Sequence, residues 1–386
     1  MSDARRDPNL LHVMADGAPG GGPTMVLGLI DDLVASVGWR PAVMSQPGSH
    51  LARETLRRGL PFLPFDFFGP ISDPRMPFRL ARMLRGLGRP LTHVHGLRAA
   101  HPLLCWPARR ELGPVVYTVH GVHQLHMRWS RVQRELANGA ERRVIRRADR
   151  TVYVSRGDLE LSLKHRLVAE PARAEVIHNG VSFDELPDLE GAAPSHDVVF
   201  AARLVEQKAP LVAAGVLARL AARGLRCAMA GGGPLARDCE ALLRSTPGGN
   251  AVRVLGELSR RQCLELVASS RLMLMTSRWE GLPIAPVESM ALGVPVVAPA
   301  IDGLSEVVVD GECGLLLRSP GIDDYADAVE ALLADPVRLA DLSTRCVTRA
   351  RGSFDRSVSS SRYAALYDGM LQAVPAGRAR VAGGDA

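Results

Sequence analysis

Short apolar runs rich in β-branched residues alternate with longer segments of helical period through almost the whole chain of 386 residues. The runs include LLHVM (10–14), LTHVH (91–95), VVYTVH (115–120), TVYVS (151–155), DVVFAA (197–202), LRCAMA (225–230), VRVL (252–255), RLMLMT (271–276) and VPVVAPA (294–300). Helical candidates between and around them include 24–37, 129–148, 157–168, 208–223, 259–270 and 323–334. Strands that are apolar at nearly every position need cover on both faces, and that pattern predicts parallel sheets clothed by helices. Right-handed crossovers then place the loops after the strand C-termini along one edge of each sheet, which is where such folds take ligands.

The length suits two domains of ordinary size. The alternation breaks once, at SFDELPDLEGAAPSH (182–196), a polar stretch with Pro and Gly and no periodicity. The expected organisation is an N-terminal domain over 1–181, a linker at 182–196 and a second domain over 197–355. A helix over 356–373 is expected to return to the N-terminal domain, with 374–386 as a disordered tail.

Aromatic residues are 4% of the chain, too few for the stacking surfaces of a nucleic-acid binder. The opening MSDARRDPN lacks the apolar stretch of a signal peptide, and no segment reaches the roughly 18 apolar residues of a membrane span. The expected location is the cytoplasm. Six cysteines stand far apart without a CxxC pair, so they read as buried free thiols, neither disulfides nor a zinc site. Charge is unevenly spread. Residues 1–187 carry 26 Lys or Arg against 18 Asp or Glu, a net +8, and the remainder is net −2. Arginines cluster at 79–89 and at 129–150. They fit either a solvated face or peripheral contact with an anionic membrane at the inner face, which would present a lipid-linked acceptor.

Three segments carry chemistry. In SRWEGLPIAPVESMALGVPVVA (277–298), Glu280 and Glu288 stand with seven residues between them, and a helix begins near Ala285 with Pro286 in its first turn. Backbone amides around Leu282, Ile284 and Ala285 then face an anion site at the helix N-terminus. An acid that merely complements the helix dipole explains the same residues equally well. In AARLVEQKAP (201–210), Arg203 ends a strand and Lys208 opens the next helix, so both cations lie over the ligand edge and suit a diphosphate. In AGGGPL (230–235), Gly232 and its neighbours allow close backbone approach by a ligand, although a tight turn would need them too.

Taken together with ALGVPVVA (291–298) and DGECGLLL (310–317), these segments resemble glycosyltransferase family 4 in type and order. The N-terminal half resembles it as well, through GAPGGGPTMVL (17–27), THVHG (92–96), YTVHG (117–121), YVS (153–155) and IHNGV (177–181). The resemblance spans about residues 9–373. It implies an α/β, GT-B fold of two Rossmann-like domains whose parallel sheets face a central cleft. It also implies a retaining transferase that moves a sugar from a nucleotide diphosphate to a hydroxyl acceptor, with neither metal nor cofactor. On that resemblance Arg203 and Lys208 bind the donor diphosphate, Glu288 the ribose and Glu280 the transferred sugar. Gly20, Gly21 and Gly22 approach the phosphates, His120 lies beside the donor sugar, and Asn179 marks the hinge. Ala202, Leu282 and Pro283 depart from the residues usual in the family. Pro283 and Pro286 have no N–H to donate, so an anion cradle there must use neighbouring amides.

A GT-B epimerase or phosphorylase, or a non-catalytic nucleotide-sugar binder, would share the fold. Ten of eleven histidines precede residue 187, and alternation puts His93 and His95 on one strand face, where a metal site is conceivable without carboxylate partners nearby.

Overall fold

The computed structural model describes residues 8–35, 38–69, 73–127, 129–188 and 193–373. The expected disordered tail beyond 373 lies outside the described residues, as do positions 189–192 of the expected linker. Two compact units emerge. The first comprises residues up to Val154, Leu159–His178 and the segment from Arg356 onward; the second comprises Ser155–Asp158 and Asn179–Asp355. The short excursion at 155–158 belongs to the second unit for a local reason. The backbone N–H groups of Arg156 and Gly157 donate to the Glu306 carboxylate at 2.9 and 2.7 Å.

The first unit is built on seven strands: β1 (Leu10–Met14), β2 (Pro41–Ser45), β3 (Phe62–Pro64), β4 (Leu91–His95), β5 (Val115–Val119), β6 (Arg150–Tyr153) and β7 (Ala174–Val176). They pair in parallel in the order β3-β2-β1-β4-β5-β6-β7. Alternation gives each face its own core. Leu11, Val13, Val94, Tyr117 and Val119 pack on one side with Leu80, Leu84, Leu103 and Val144. Leu10, Leu91, Val116 and Val152 pack on the other with Leu29, Leu33 and the C-terminal helix residues Tyr363, Tyr367 and Met370. That helix, Arg356–Gln372, is fastened to the helix Gly21–Ala35 by the Arg356 guanidinium, which grips Asp32 at 3.1 Å with two nitrogens. A Cβ at Gly28 would strike Arg356 Cδ at 2.7 Å, so the two helices meet where a side chain is absent.

The second unit has six parallel strands: β8 (His196–Ala201), β9 (Cys227–Ala230), β10 (Arg253–Gly256), β11 (Ser270–Leu274), β12 (Val296–Pro299) and β13 (Gly314–Leu317). Their order is β10-β9-β8-β11-β12-β13. Val198, Phe200, Leu272, Leu274 and Val297 form its inner layer against the apolar face of the helix Pro210–Ala222. Strand order reverses between β1 and β4 in one unit and between β8 and β11 in the other. Those switch points open a crevice at the strand C-terminal ends, and the segments after β1, β8, β9 and β11 that carry Gly20, Arg203, Lys208, Gly232 and Glu280 lie on such an edge.

The glycines after β9 are required by backbone geometry. Gly231 and Gly233 have φ of +146° and +147°, and a Cβ on Gly231 would lie 1.9 Å from the Ala202 carbonyl oxygen. Gly231→Ala is therefore expected to destabilise the protein by about 3 kcal/mol or more. Gly20→Ala should leave the melting midpoint unchanged, because a Cβ there meets nothing within 4 Å. Scanning calorimetry of both variants decides, and equal midpoints would refute the account.

Candidate active site

The loops after β8 and β11 are stitched together at the switch point of the second sheet. Beyond β8 the chain runs through exposed Arg203 into a single 3-10 turn, Glu206–Lys208. Lys208 thus stands before the helix rather than on it, correcting the sequence reading. Pro210 at the first helical position disfavours helical backbone in the residue before it, and Ala209 adopts φ +45°, ψ +52°. Thr276, just past β11, donates its hydroxyl to the carbonyls of Lys208 at 2.8 Å and Ala209 at 3.2 Å. The Arg278 N–H donates to the Gln207 carbonyl at 2.8 Å.

This stitching brings Lys208 and Glu280 into a direct ion pair, 72 residues apart in sequence. Only 15% of the lysine and 5% of the glutamate side chain is exposed. Ser277 donates its hydroxyl to the same Glu280 oxygen at 2.6 Å, and the Gln207 amide donates to the other at 3.3 Å and to the Trp279 carbonyl at 3.0 Å. A buried ion pair is tolerable only when further hydrogen bonds satisfy the remaining lone pairs, and these side chains supply them. The Glu280–Gly281 turn is pressed against a second segment, since a Cβ on Gly303 would meet the Gly281 carbonyl oxygen at 1.8 Å.

From that turn the chain enters the helix Ile284–Ala291, whose N-cap, Pro283, makes no side-chain cap. Leu282 and Ile284 have buried side chains, so only their backbone faces the edge. Glu288 lies in the second turn. One of its oxygens, Oε1, accepts from Arg260 Nε at 3.2 Å and Nη2 at 2.9 Å, while Arg260 Nη1 reaches Glu185 at 2.8 Å. Burial pushes the Glu288 carboxyl above the usual range, and the Arg260 charge and hydrogen bonds pull it back. Asn179, the first residue after the unit boundary, is buried, and its Nδ2 lies 3.5 Å from the Leu282 carbonyl. The glycine loop after β9 joins the same edge, where the Leu204 N–H donates to the Gly232 carbonyl at 2.8 Å.

Arg203, Lys208, Gly232, Glu280, Leu282, Ile284, Ala285 and Glu288 therefore share one strand-end edge. Gln207, Ser277 and Arg260 contribute beyond the residues expected from the sequence. Gln207 lies inside a motif already quoted, and Ser277 opens another. Arg260 carries no local signal, because its partner is 28 residues away on another helix.

In the first unit, Gly20 is exposed and precedes the helix that Gly21 and Gly22 open, with the Thr24 N–H donating to the Gly20 carbonyl at 3.1 Å. His120 lies just beyond β5, with Nε2 3.1 Å from His95 Nδ1. His12, His93 and His95 are fully buried beneath it, and each offers a ring nitrogen within 4.8 Å of the others. They suit a divalent cation poorly. His93 is held at 2.6 Å by Tyr367 on one nitrogen and at 2.6 Å by Thr118 on the other, and both nitrogens of His95 face other histidines. A buried dication among neutral ligands would also lack compensating charge.

Comparison with known proteins identifies the family and the fold. The family described as "Glycosyl transferases group 1" matches residues 188–353, and "Glycosyltransferase Family 4" matches residues 19–185. Between them they account for most of the chain, which belongs to the family 4 glycosyltransferases. A D-inositol 3-phosphate glycosyltransferase of Mycobacterium avium is 29% identical over 68% of this chain and 66% of its own. The chain thus spans just under two thirds of that relative's length. The alpha-D-kanosaminyltransferase of Streptomyces kanamyceticus is 26% identical over 74% of this chain and 78% of its own. In fold, sucrose-phosphate synthase from Thermosynechococcus elongatus superimposes with a TM-score of 0.80 at 19% identity, covering 96% of this chain and all of that one (100%). Anabaena HepE, solved with UDP and glucose, does so at 0.77 and 17% identity, covering 94% of this chain and 100% of its own. These neighbours share the GT-B fold.

The Arg260–Glu288 contact can be tested directly. Because the native carboxyl binds its proton more tightly than the unfolded chain does, stability from this group falls as pH climbs from the ordinary carboxylate range through the raised midpoint. Arg260→Met should move that midpoint further up. A 13C carboxyl NMR titration reads it, and an unmoved midpoint would show that Arg260 is not the compensating charge.

Proposed function

We propose that the protein is a retaining, metal-independent glycosyltransferase that moves a sugar from a nucleotide diphosphate to a hydroxyl acceptor. The reading rests on the Lys208–Glu280 pair at the switch point, beside an uncapped helix N-terminus and a second carboxylate at Glu288. Arg203, Lys208 and the amides of Ile284 and Ala285 neutralise the diphosphate, doing by fixed charge what a divalent ion would otherwise do. Glu288, with Oε1 already engaged by Arg260, offers its other oxygen to the ribose hydroxyls. Glu280 takes the hydroxyls of the transferred sugar, while Gly20, the helix start at Gly21 and Gly22, and His120 act from the N-terminal unit, with Asn179 at the hinge.

In the transfer, the bond from the anomeric carbon to the leaving phosphate oxygen breaks while the acceptor oxygen forms its bond on the same face. The hydroxyl proton passes to the departing phosphate oxygen, so the nucleotide diphosphate carries it away. Same-face attack requires no carboxylate nucleophile of the kind glycosidases use. Support for sugar transfer comes from the relatives' names, and support for a nucleotide-sugar donor from the UDP bound in the Anabaena neighbour.

A panel of nucleotide sugars, screened by thermal shift, should contain one donor that stabilises the protein by about 2.7 kcal/mol at 100 times its Kd. With that donor, Lys208→Ala should weaken binding about thirtyfold, roughly 2 kcal/mol. Part of this loss reflects the buried Glu280 left unpaired, so adding Glu280→Gln to Lys208→Ala should recover some of it. Unchanged affinity in a folded Lys208→Ala protein sinks the diphosphate assignment. An inverted anomeric centre in the product, read by NMR, sinks retention. Consumption of inorganic phosphate in place of nucleotide release would instead indicate a phosphorylase.

A second reading concerns the acceptor. Phe68, Phe78 and Trp106 are 47%, 54% and 59% exposed on the N-terminal unit, and the last two meet edge to face at 5.7 Å. Arg98 covers Phe68 at 5.1 Å and Arg110 covers Trp106 at 5.9 Å. Among the described residues no helix is long and apolar enough to cross a membrane. Exposed aromatic rings under guanidinium groups suit the interface of an anionic bilayer, and we infer that this unit rests there to receive a lipid-linked acceptor. Sedimentation with anionic vesicles at low salt, lost at high salt and in Phe78→Ser/Trp106→Ser, is the expected result. Equal pelleting with neutral vesicles would end the idea.

A further inference from the structure

Among the described residues, the sheet face beneath His120 carries a run of ionisable side chains inside a parallel-sheet core. Register sets it up: His12 pairs with His93 and Met14 with His95 between β1 and β4, and His95 pairs with Thr118 on β5. Alternation then points His12, His93, His95, Thr118 and His120 to one side. His12 Nδ1 lies 3.2 Å from His95 Nε2, and His95 Nδ1 lies 3.1 Å from His120 Nε2. The rings are near parallel, at 14° between His12 and His95 and 29° between His95 and His120. His93 braces this row, its ring centroid 4.0 Å from that of His95 and both its nitrogens hydrogen-bonded.

Burial lowers His12 to about 3 and holds His93 and His95 well below the usual imidazole range. These rings are neutral, with one N–H and one lone pair apiece. His95 has a single proton for two hydrogen bonds, so both must run the same way along the row. If they run inward, the row ends in a buried N–H on His12 Nε2, which has no partner. If they run outward, it ends in a buried lone pair. Buried orphan donors are the rarer and costlier case. The outward direction therefore wins: His12 Nδ1–H donates to His95 Nε2, and His95 Nδ1–H donates to His120 Nε2.

We propose that His12 and His95 are positioning residues, which fix His120 as its Nδ1–H tautomer and set the plane of its ring. This rests on the reading of His120 as a residue that acts on the donor sugar. His120 then presents an N–H, not a lone pair, from its Nδ1 side. On the proposed function, that fixed tautomer sets the hydrogen-bonding role of His120 before any donor binds.

The test has two arms. In the wild-type protein, 15N NMR of the histidine rings should show His120 Nε2 as the unprotonated nitrogen and Nδ1 as the protonated one. A protonated Nε2 overturns the proposal without any variant being made. In the second arm, His12→Phe keeps the ring and removes the donor, while His12→Asn places an amide N–H where Nδ1–H stood. His12→Phe should lower kcat about tenfold with the donor KM within about twofold, and His12→Asn should restore most of the loss. Folded Phe and Asn variants with equal kcat would mark His12 as core packing only. The control is His120→Ala. If it leaves transfer intact, or if the wild type transfers no sugar, the functional reading has failed, and the NMR result still judges the relay.

Discussion

Parallel strands cannot be joined by hairpins, so each must be followed by a crossover, and all their C-terminal ends emerge on one edge. The candidate site of this family 4 chain follows from that constraint. At the reversal between β8 and β11 two neighbouring strands send their chains apart, and the gap is closed by a polar lock instead of apolar packing. Lys208 and Glu280 neutralise each other there, Ser277 and Gln207 satisfy the carboxylate, and Thr276 holds the turn on which Lys208 rides. Neither charge could be buried at this depth alone. The pair therefore does structural work of its own, and on the proposed function its cation and anion would meet a diphosphate bearing a hydroxylated sugar.

The two carboxylates of the motif end up in unlike surroundings. Glu280 is held by a lysine, a hydroxyl and an amide in the loop, whereas Glu288 sits a turn inside the helix with one arginine as its counter-charge. Arg260 also grips Glu185, in the segment that follows the unit boundary, so the position of Glu288 is tied to the chain entering the domain. A chain that keeps both glutamates can still differ in how firmly each is held, because Lys208, Gln207 and Arg260 lie outside the segment 277–298 that carries them.

The first unit shows a different economy. One face of its sheet is a plain apolar core, while the other replaces aliphatic side chains with a row of neutral imidazoles flanked by Tyr363 and Tyr367. Buried polar side chains are tolerated where hydrogen bonds satisfy them, and nearly all the nitrogens in this row are satisfied. Such networks have directional bonds, and they hold a ring in one orientation more firmly than dispersion contacts can.

Much of the architecture was readable from residue order alone. The central strands of both sheets, buried on both faces, appear as continuous apolar runs, since a strand between two helical layers has no polar side to show. The edge strands β3 and β7 escaped, being three residues long and half-buried; β2 opens with a proline, and β13 is half-buried along most of its length. The motif residues were legible because a helix start, a glycine turn and a cation after a strand are local statements. What only the tertiary structure decided were pairings across long sequence distance. The sequence brings Lys208 and Glu280 to one edge but does not say that they bind each other. It places His93 and His95 on one face but not His12 against them, nor Arg260 against Glu288. Local propensity acts over a few residues, whereas these contacts depend on strand register and loop stitching, which exist only once the sheets have formed.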